Sequence, residues 1–174
     1  MNLHVVPTDP AALRTAFASV PQSIVALCGL DPTGTPHGVT ASSFTPISLE
    51  PPLVSVAMGK GSATWPVLRQ MPRLGISLLS HSQAAICRKL AVKGGDRFEG
   101  LRWRFEAGTG AVFIDAAVAE LDCELFDELP AGDHSIVLLR IKSLCVDDQR
   151  EPLIFHGSDF RRLAATQTSA ATPL

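Results

Sequence analysis

The chain has 174 residues, 46% of them apolar, and a formal net charge of −2 at neutral pH with its histidines neutral. That is enough apolar material for one core, so a single domain is expected over residues 1–163, followed by a small-residue tail over 164–174 that stays disordered. The 15 basic residues are scattered, which leaves no electrostatic footprint for nucleic acid or an anionic membrane, and with neither a leader pattern nor a spanning apolar run a cytoplasmic protein is expected.

Asp9 followed by Pro10 marks a helix start, and Leu13 and Phe17 lie four apart on one face, predicting a short helix over residues 10–19. Residues 23–30 (Ser-Ile-Val-Ala-Leu-Cys-Gly-Leu) form a near-continuous apolar strand. The run Asp31-Pro32-Thr33-Gly34-Thr35-Pro36 then turns the chain into a hairpin through Val39 and Thr40. After a Pro51-Pro52 turn comes a strand over 53–58, then a short helix over 64–70 with Trp65, Leu68 and Met71 inward, then a strand over 74–79. Ser82 is expected to cap a helix over 83–91 carrying the apolar pair Ile86 and Leu90, and residues 93–105, with little periodicity, read as a loop.

Downstream, Leu121, Cys123 and Leu125 alternate with Asp122 and Glu124, the mark of a half-buried strand over 118–125. Residues 134–146 form a long strand, 152–155 a last short one and 158–163 a helical end. Seven or so strands with few, short helices point to an antiparallel barrel, and no G-x-G-x-x-G opens a helix after a strand to support a doubly wound sheet. Cys28, Cys87, Cys123 and Cys145 sit among apolar neighbours without zinc-ligand spacing, so buried free thiols and no metal site are expected. Neither a G-x-S-x-G elbow nor an H-E-x-x-H pair is present, which removes the local signatures of serine and zinc hydrolases.

Residues 40–65 bring the densest set of small hydroxyl side chains. On residue type alone Thr40, Ala41, Ser42 and Ser43 suit an ordinary strand, whereas Ser62 and Thr64 after Gly61 serve equally as a helix cap or a phosphate contact. The order Thr-Ala-x-Ser-Phe-Thr from residue 40, Leu-x-Pro-Pro-Leu-Val from 49 and Ser-x-Thr from 62 continues into Arg97-Phe98-x-Gly100, Gly132-Asp133-His134 and Phe155-x-Gly157-x-x-Phe160. Over roughly residues 12–163 this set resembles the flavin reductase family of the FMN-binding split barrel, the reductase components of two-component monooxygenases.

The resemblance implies a mainly β, Greek-key split barrel with a few short helices that dimerises, its flavin sites near the subunit interface. It implies an NAD(P)H:flavin oxidoreductase using FMN or FAD with NADH or NADPH and passing reduced flavin to a partner monooxygenase. A flavin-binding protein of the same fold without nicotinamide turnover, or a flavin oxidase acting on a pyridoxine-like phosphate, are the alternatives. By the same resemblance Thr40, Ala41, Ser42 and Ser43 contact the flavin ring and its tail, Ser55, Val56 and Ala57 line the ring, and Ser62 and Thr64 hold the phosphate. Ser42 and Ser77 stand where the family usually carries asparagine. Arg88 and Arg97 are basic candidates for the cofactor's phosphates, set against the plainer reading of a solvated face. His134 is expected to position the nicotinamide against the flavin, and Phe155, Gly157 and Phe160 to close over it. His4, His37 and His81 have no supporting sequence context.

Overall fold

The computed structural model describes residues 5, 6, 9–92 and 94–164; the expected tail from residue 165 onward lies outside them. Helix α1 (Pro10–Phe17) begins where expected, with the Asp9 carboxylate accepting the Ala11 N–H at 2.9 Å and proline at the first position. The apolar run that follows divides between two sheets. Strand β1 (Gln22–Ser23) pairs in one, Ile24 crosses over, and β2 (Val25–Leu30) pairs in the other. Val25 and Leu27 of β2 face one core, and Ala26 and Cys28 face a second. Burial on both sides is why the run has no polar phase.

The main sheet is antiparallel and seven-stranded, in the order β3 (Pro36–Ala41), β2, β6 (Leu74–Leu78), β9 (Ala119–Ala131), β10 (His134–Val146), β5 (Pro52–Gly59), β4 (Thr45–Leu49). Three hairpins, β2–β3, β4–β5 and β9–β10, are joined by connections that make β6 a neighbour of β2 and β5 a neighbour of β10. Side chains of β2, β5, β6, β9 and β10 converge on one cluster, including Leu27, Val56, Ile76, Cys123 and Leu139, so the sheet is curled around a barrel core. Just past the end of β3 a side chain bridges to β5: the Ser43 hydroxyl accepts the Ala57 N–H at 2.8 Å and donates to the Ala57 carbonyl at 3.3 Å. Helix α2 (Trp65–Leu68) plugs an end, burying Trp65 and Leu68 together with Met71, while the Trp65 indole N–H donates to Glu128 on β9 at 3.2 Å.

A second core lies outside the barrel wall, between β2 and a layer made of α3 (Ala84–Ala91), the hairpin β7 (Trp103–Phe105)–β8 (Val112–Ile114), and the small sheet β1–β11 (Ile154–His156)–β12 (Asp159–Arg161). This layer holds the departures from expectation. The segment over 158–163 is not helical but forms β12, because Gly157 and Ser158, both at φ 61°, make a two-residue hairpin turn in the left-handed region. The loop after residue 93 ends in β7, which pairs Trp103 with Ile114. Ser80, not Ser82, caps the turn into α3, exchanging bonds with Gln83 in a capping box, and the buried positions of α3 are Cys87 and Leu90, of which only Leu90 is wholly enclosed. Cys145, expected inside, is exposed near the end of β10, while Cys28, Cys87 and Cys123 are buried and all four are free. Among the described residues no helix is long and apolar enough to cross a membrane.

Candidate cofactor site

Two clefts open along β3, on the side of the strand away from the barrel core. Val39 and Ala41 pack toward the barrel, which turns Gly38 and Thr40 the other way. A strand this close to a second layer needs a residue without a side chain at the point of contact. At Gly38 a Cβ would stand 2.7 Å from the Cys28 sulfur and 2.9 Å from the Phe98 ring, so the glycine lets the segment over 94–99 lie against the strand.

The inner cleft, about 190 Å³, is bounded by Ile24, Thr40, Ala41, Ser42, Cys87 and the aromatic pair Phe155 and Phe160. The two rings meet edge to face at 5.6 Å, and the Arg88 guanidinium lies 5.0 Å above the Phe160 ring. Burial pushes the Cys87 thiol up, opposed by a hydrogen bond from Thr40 and by the charge of Arg88. The β11–β12 hairpin that carries the phenylalanines is fastened through Gly157, whose N–H donates to the Ala18 carbonyl at 2.7 Å.

The outer cleft, about 790 Å³, is lined on β3 by Pro36, His37 and Gly38, earlier along the strand than the residues of the inner one. Arg97 projects across it: one terminal nitrogen donates to the Thr64 hydroxyl at 2.9 Å and to the Gly38 carbonyl at 3.1 Å. The loop holding Arg97 is shaped by Asp96, which accepts the backbone N–H groups of Phe98 at 2.8 Å and Glu99 at 3.0 Å. A guanidinium carries five donors, and among the described residues the hydrogen bonds of Arg97 run from one nitrogen alone, which leaves donors for an anion beside Thr64. At the far end His37 bonds Asp31 at 2.9 Å. Asp31 also accepts the Thr33 hydroxyl and the N–H groups of Thr33 and Thr35, and these bonds hold its carboxyl well below the usual carboxylate range.

Of the residues singled out in the sequence, the structure gathers Thr40, Ala41, Ser42, Phe155 and Phe160 at the inner cleft and Thr64 and Arg97 at the outer one. Arg88 and Gly157 support the inner cleft from behind. Ser62 stands beside Thr64, its hydroxyl accepting the Trp65 N–H at 3.1 Å. Ser43 and Ala57 are bonded to each other, Val56 faces the barrel core, and Ser55 is buried opposite Leu138. Ser77 lines neither cleft: it is fully buried and its hydroxyl accepts the Ile114 N–H at 2.9 Å. His134 opens β10 opposite Gly59, half exposed, with Nδ1 2.8 Å from the Asp133 carboxylate, two rungs along β5 from Ala57 and outside both clefts. The His134 bond in turn holds the Asp133 carboxyl below its ordinary value. His37, Asp31, Cys87 and Trp103 also stand at or behind these clefts, and none of them carries a site signal in the sequence. The Asp31-to-Thr35 turn was visible, but not that it delivers a carboxylate to a histidine six residues on.

Residues 17–164 match the flavin reductase like domain. The chain is 32% identical over 157 residues to a flavin reductase of Pseudomonas putida, covering 90% of this chain and 92% of that one. In structure it is similar to the NADH:FAD oxidoreductase of Streptomyces globisporus C-1027, solved in complex with NAD and FAD fragments, with a TM-score of 0.89 and 32% identity over 96% of this chain and 100% of that one. The flavin reductase component of a bacterial two-component tryptophan halogenase aligns with a TM-score of 0.82 and 30% identity, over 91% of this chain and 100% of that one. The domain match spans most of the chain and these three relatives align over nearly their whole length: this protein belongs to the flavin reductase family.

Proposed function

We propose that the chain is an NAD(P)H:flavin oxidoreductase that reduces FMN or FAD and hands the reduced flavin to a partner monooxygenase, with residues 1–163 acting as one domain in the cytoplasm. The observation that carries this reading is the groove along β3, with small residues and backbone of Thr40–Ser42 beside an aromatic pair at one end and the Arg97–Thr64 anion site at the other. A bound flavin supplies the hydride acceptor, which accounts for a site without a strong protein acid or base. The chain's own part is positional. Arg97 and Thr64 anchor the phosphate, Thr40, Ala41 and Ser42 meet the ring edge, and Phe155 and Phe160 exclude water from the face the nicotinamide approaches. His134, held by Asp133 at the start of β10, orients the nicotinamide in this reading.

A homodimer is part of the same reading. Ile47 and Leu49 on β4, Phe126 and Leu129 on β9, and Leu144 and Val146 on β10 leave apolar side chains open to solvent, with Leu49 97% exposed. The test is anaerobic titration of the purified protein with each pairing of FMN or FAD with NADH or NADPH, following flavin absorbance. Bleaching with at least one pairing is expected, and none with any of the four would overturn the reading. Flavin binding without bleaching would favour the carrier alternative.

A further inference from the structure

We propose that a third cleft, on the other side of α3 from the inner one, binds a small organic acid: a carboxylate carried on an apolar body. This cleft holds about 680 Å³, within the range of cavities that take small molecules, and shares no lining residue with either cleft along β3. Helix α3 is the partition. Cys87 lines the inner cleft, whereas Ala85, Ile86 and Lys89 line this one. The inference is independent of the oxidoreductase reading, because it uses no residue of the flavin or nicotinamide site.

Its lining pairs apolar surface with positive charge. Ile86 and Leu101 are half-buried against the outer core, and around them stand Lys89, Arg102 and Arg150 against a single lining carboxylate, Asp115, in a chain whose net charge is −2. Lys89 is occupied, its ammonium donating to the Glu99 carbonyl. The two guanidiniums are not. Arg102 has its Nε 3.8 Å from the Asp115 carboxylate, too long for a hydrogen bond, and Arg150 bonds Asp147 through Nε alone at 2.6 Å, so among the described residues the terminal nitrogens of both make no hydrogen bond. Planar forks with spare N–H groups match a carboxylate two bonds at a time. The wall that carries Asp115 is fixed in advance. The Asp115 N–H donates to the Arg102 carbonyl at 3.1 Å, the Asp115 carbonyl accepts the Gln83 side-chain amide at 2.7 Å, and Ala116 is held at φ 65°, in the left-handed region that a Cβ disfavours. Gln83 adds a buried donor. It is 5% exposed, its amide oxygen accepts the Ser80 N–H at 2.8 Å, and of the two N–H groups on its amide nitrogen only one has a partner among the described residues. The apolar surface selects against a bare anion, and the guanidiniums select against a neutral ring.

Benzoate is the probe, titrated into the full chain with and without FMN and followed by calorimetry and by backbone amide shifts. It is expected to bind about tenfold or more tightly than benzamide, which keeps the ring and loses the charge, and than acetate, which keeps the charge and loses the ring. The amides of Ile86, Leu101 and Ala116 should shift while those of Thr40 to Ser42 stay in place. Arg102→Gln and Arg150→Gln alter side chains that are 91% and 42% exposed, so folding is not at stake. Each should weaken benzoate by about tenfold and leave flavin binding and NAD(P)H oxidation unchanged. Ala85→Phe, which fills the cleft from α3, should abolish benzoate binding. The proposal is overturned if benzoate does not bind the wild type, binds no better than benzamide or acetate, is indifferent to both arginine variants, or is displaced by FMN, which would put it in the cofactor site. The wild-type titration needs no variant to fold. A protein that reduces flavin and ignores benzoate loses this site alone, and one that binds benzoate as described and reduces no flavin loses only the oxidoreductase reading.

Discussion

Arg97 is the residue on which the proposed anion site turns, because its guanidinium bridges three elements: the loop that carries it, β3 through Gly38 and the start of α2 through Thr64. Arg97→Ala should weaken FMN and FAD alike, by tenfold or more on the usual scale of about 1.5–3 kcal/mol for a charge-assisted hydrogen bond, measured by quenching of flavin fluorescence. Arg97→Lys should not restore it, since an ammonium cannot reach both Thr64 and a phosphate from one planar fork. His134 should behave in the opposite way. His134→Ala is expected to lower kcat for NAD(P)H oxidation by about ten- to a hundredfold while the flavin dissociation constant stays within about twofold, the cost of a misplaced reactant and not of a lost cofactor. Equal losses in both would remove His134 from nicotinamide positioning. The sequence order alone pointed to Arg97 and Thr64, but not to their contact across 33 residues, and it could not reveal that the Ser77 hydroxyl is spent on the Ile114 amide inside the wall.

At the level of strands and helices, the parts readable in advance were those whose burial follows one period. β9 sends Leu121, Cys123 and Leu125 to the barrel core in the expected alternation, although Asp122 between them is buried too, paired with Arg73, and α2 directs Trp65 and Leu68 inward at helical spacing. The second layer was hidden because its short elements are stabilised by contacts distant in sequence: β12 depends on a left-handed turn and a partner strand, and β7 on β8. Glycine carries the layer-to-layer fit, and its consequence is measurable. At Gly75 on β6 a Cβ would overlap the Val112 carbonyl oxygen of β8, backbone against backbone, whereas at Gly61 nothing lies within 4 Å. Gly75→Ala is therefore expected to cost at least about 3 kcal/mol or prevent folding, and Gly61→Ala to stay within about 0.5 kcal/mol, in denaturant melts of the two variants side by side.

For the whole molecule, two of the three buried thiols set an alkaline limit. Burial pushes Cys28 and Cys123 up to about 12 from an ordinary value near 9. In the folded protein they keep protons that the unfolded chain releases above about pH 9, so their share of stability is intact below that point and declines as the pH climbs toward 12. Melts in reductant from neutral pH to about pH 11 should show this fall, and Cys123→Ala should make it shallower; an equally steep fall in the variant would sink the assignment. Assembly is testable on the same scale: if the open apolar face of β4 pairs two copies, Leu49→Glu should move the protein from dimer to monomer in sedimentation. Lastly, just past the end of β3 the chain is joined to β5 by a hydroxyl instead of a ladder. Such a latch is a line of easy breathing: the segment bearing Thr40, Ala41 and Ser42 is tied to β5 by the two bonds of Ser43 and moves when they are released. Isotope exchange at the Ala57 amide should report that motion, faster in Ser43→Ala and slower once a cofactor pins the strand.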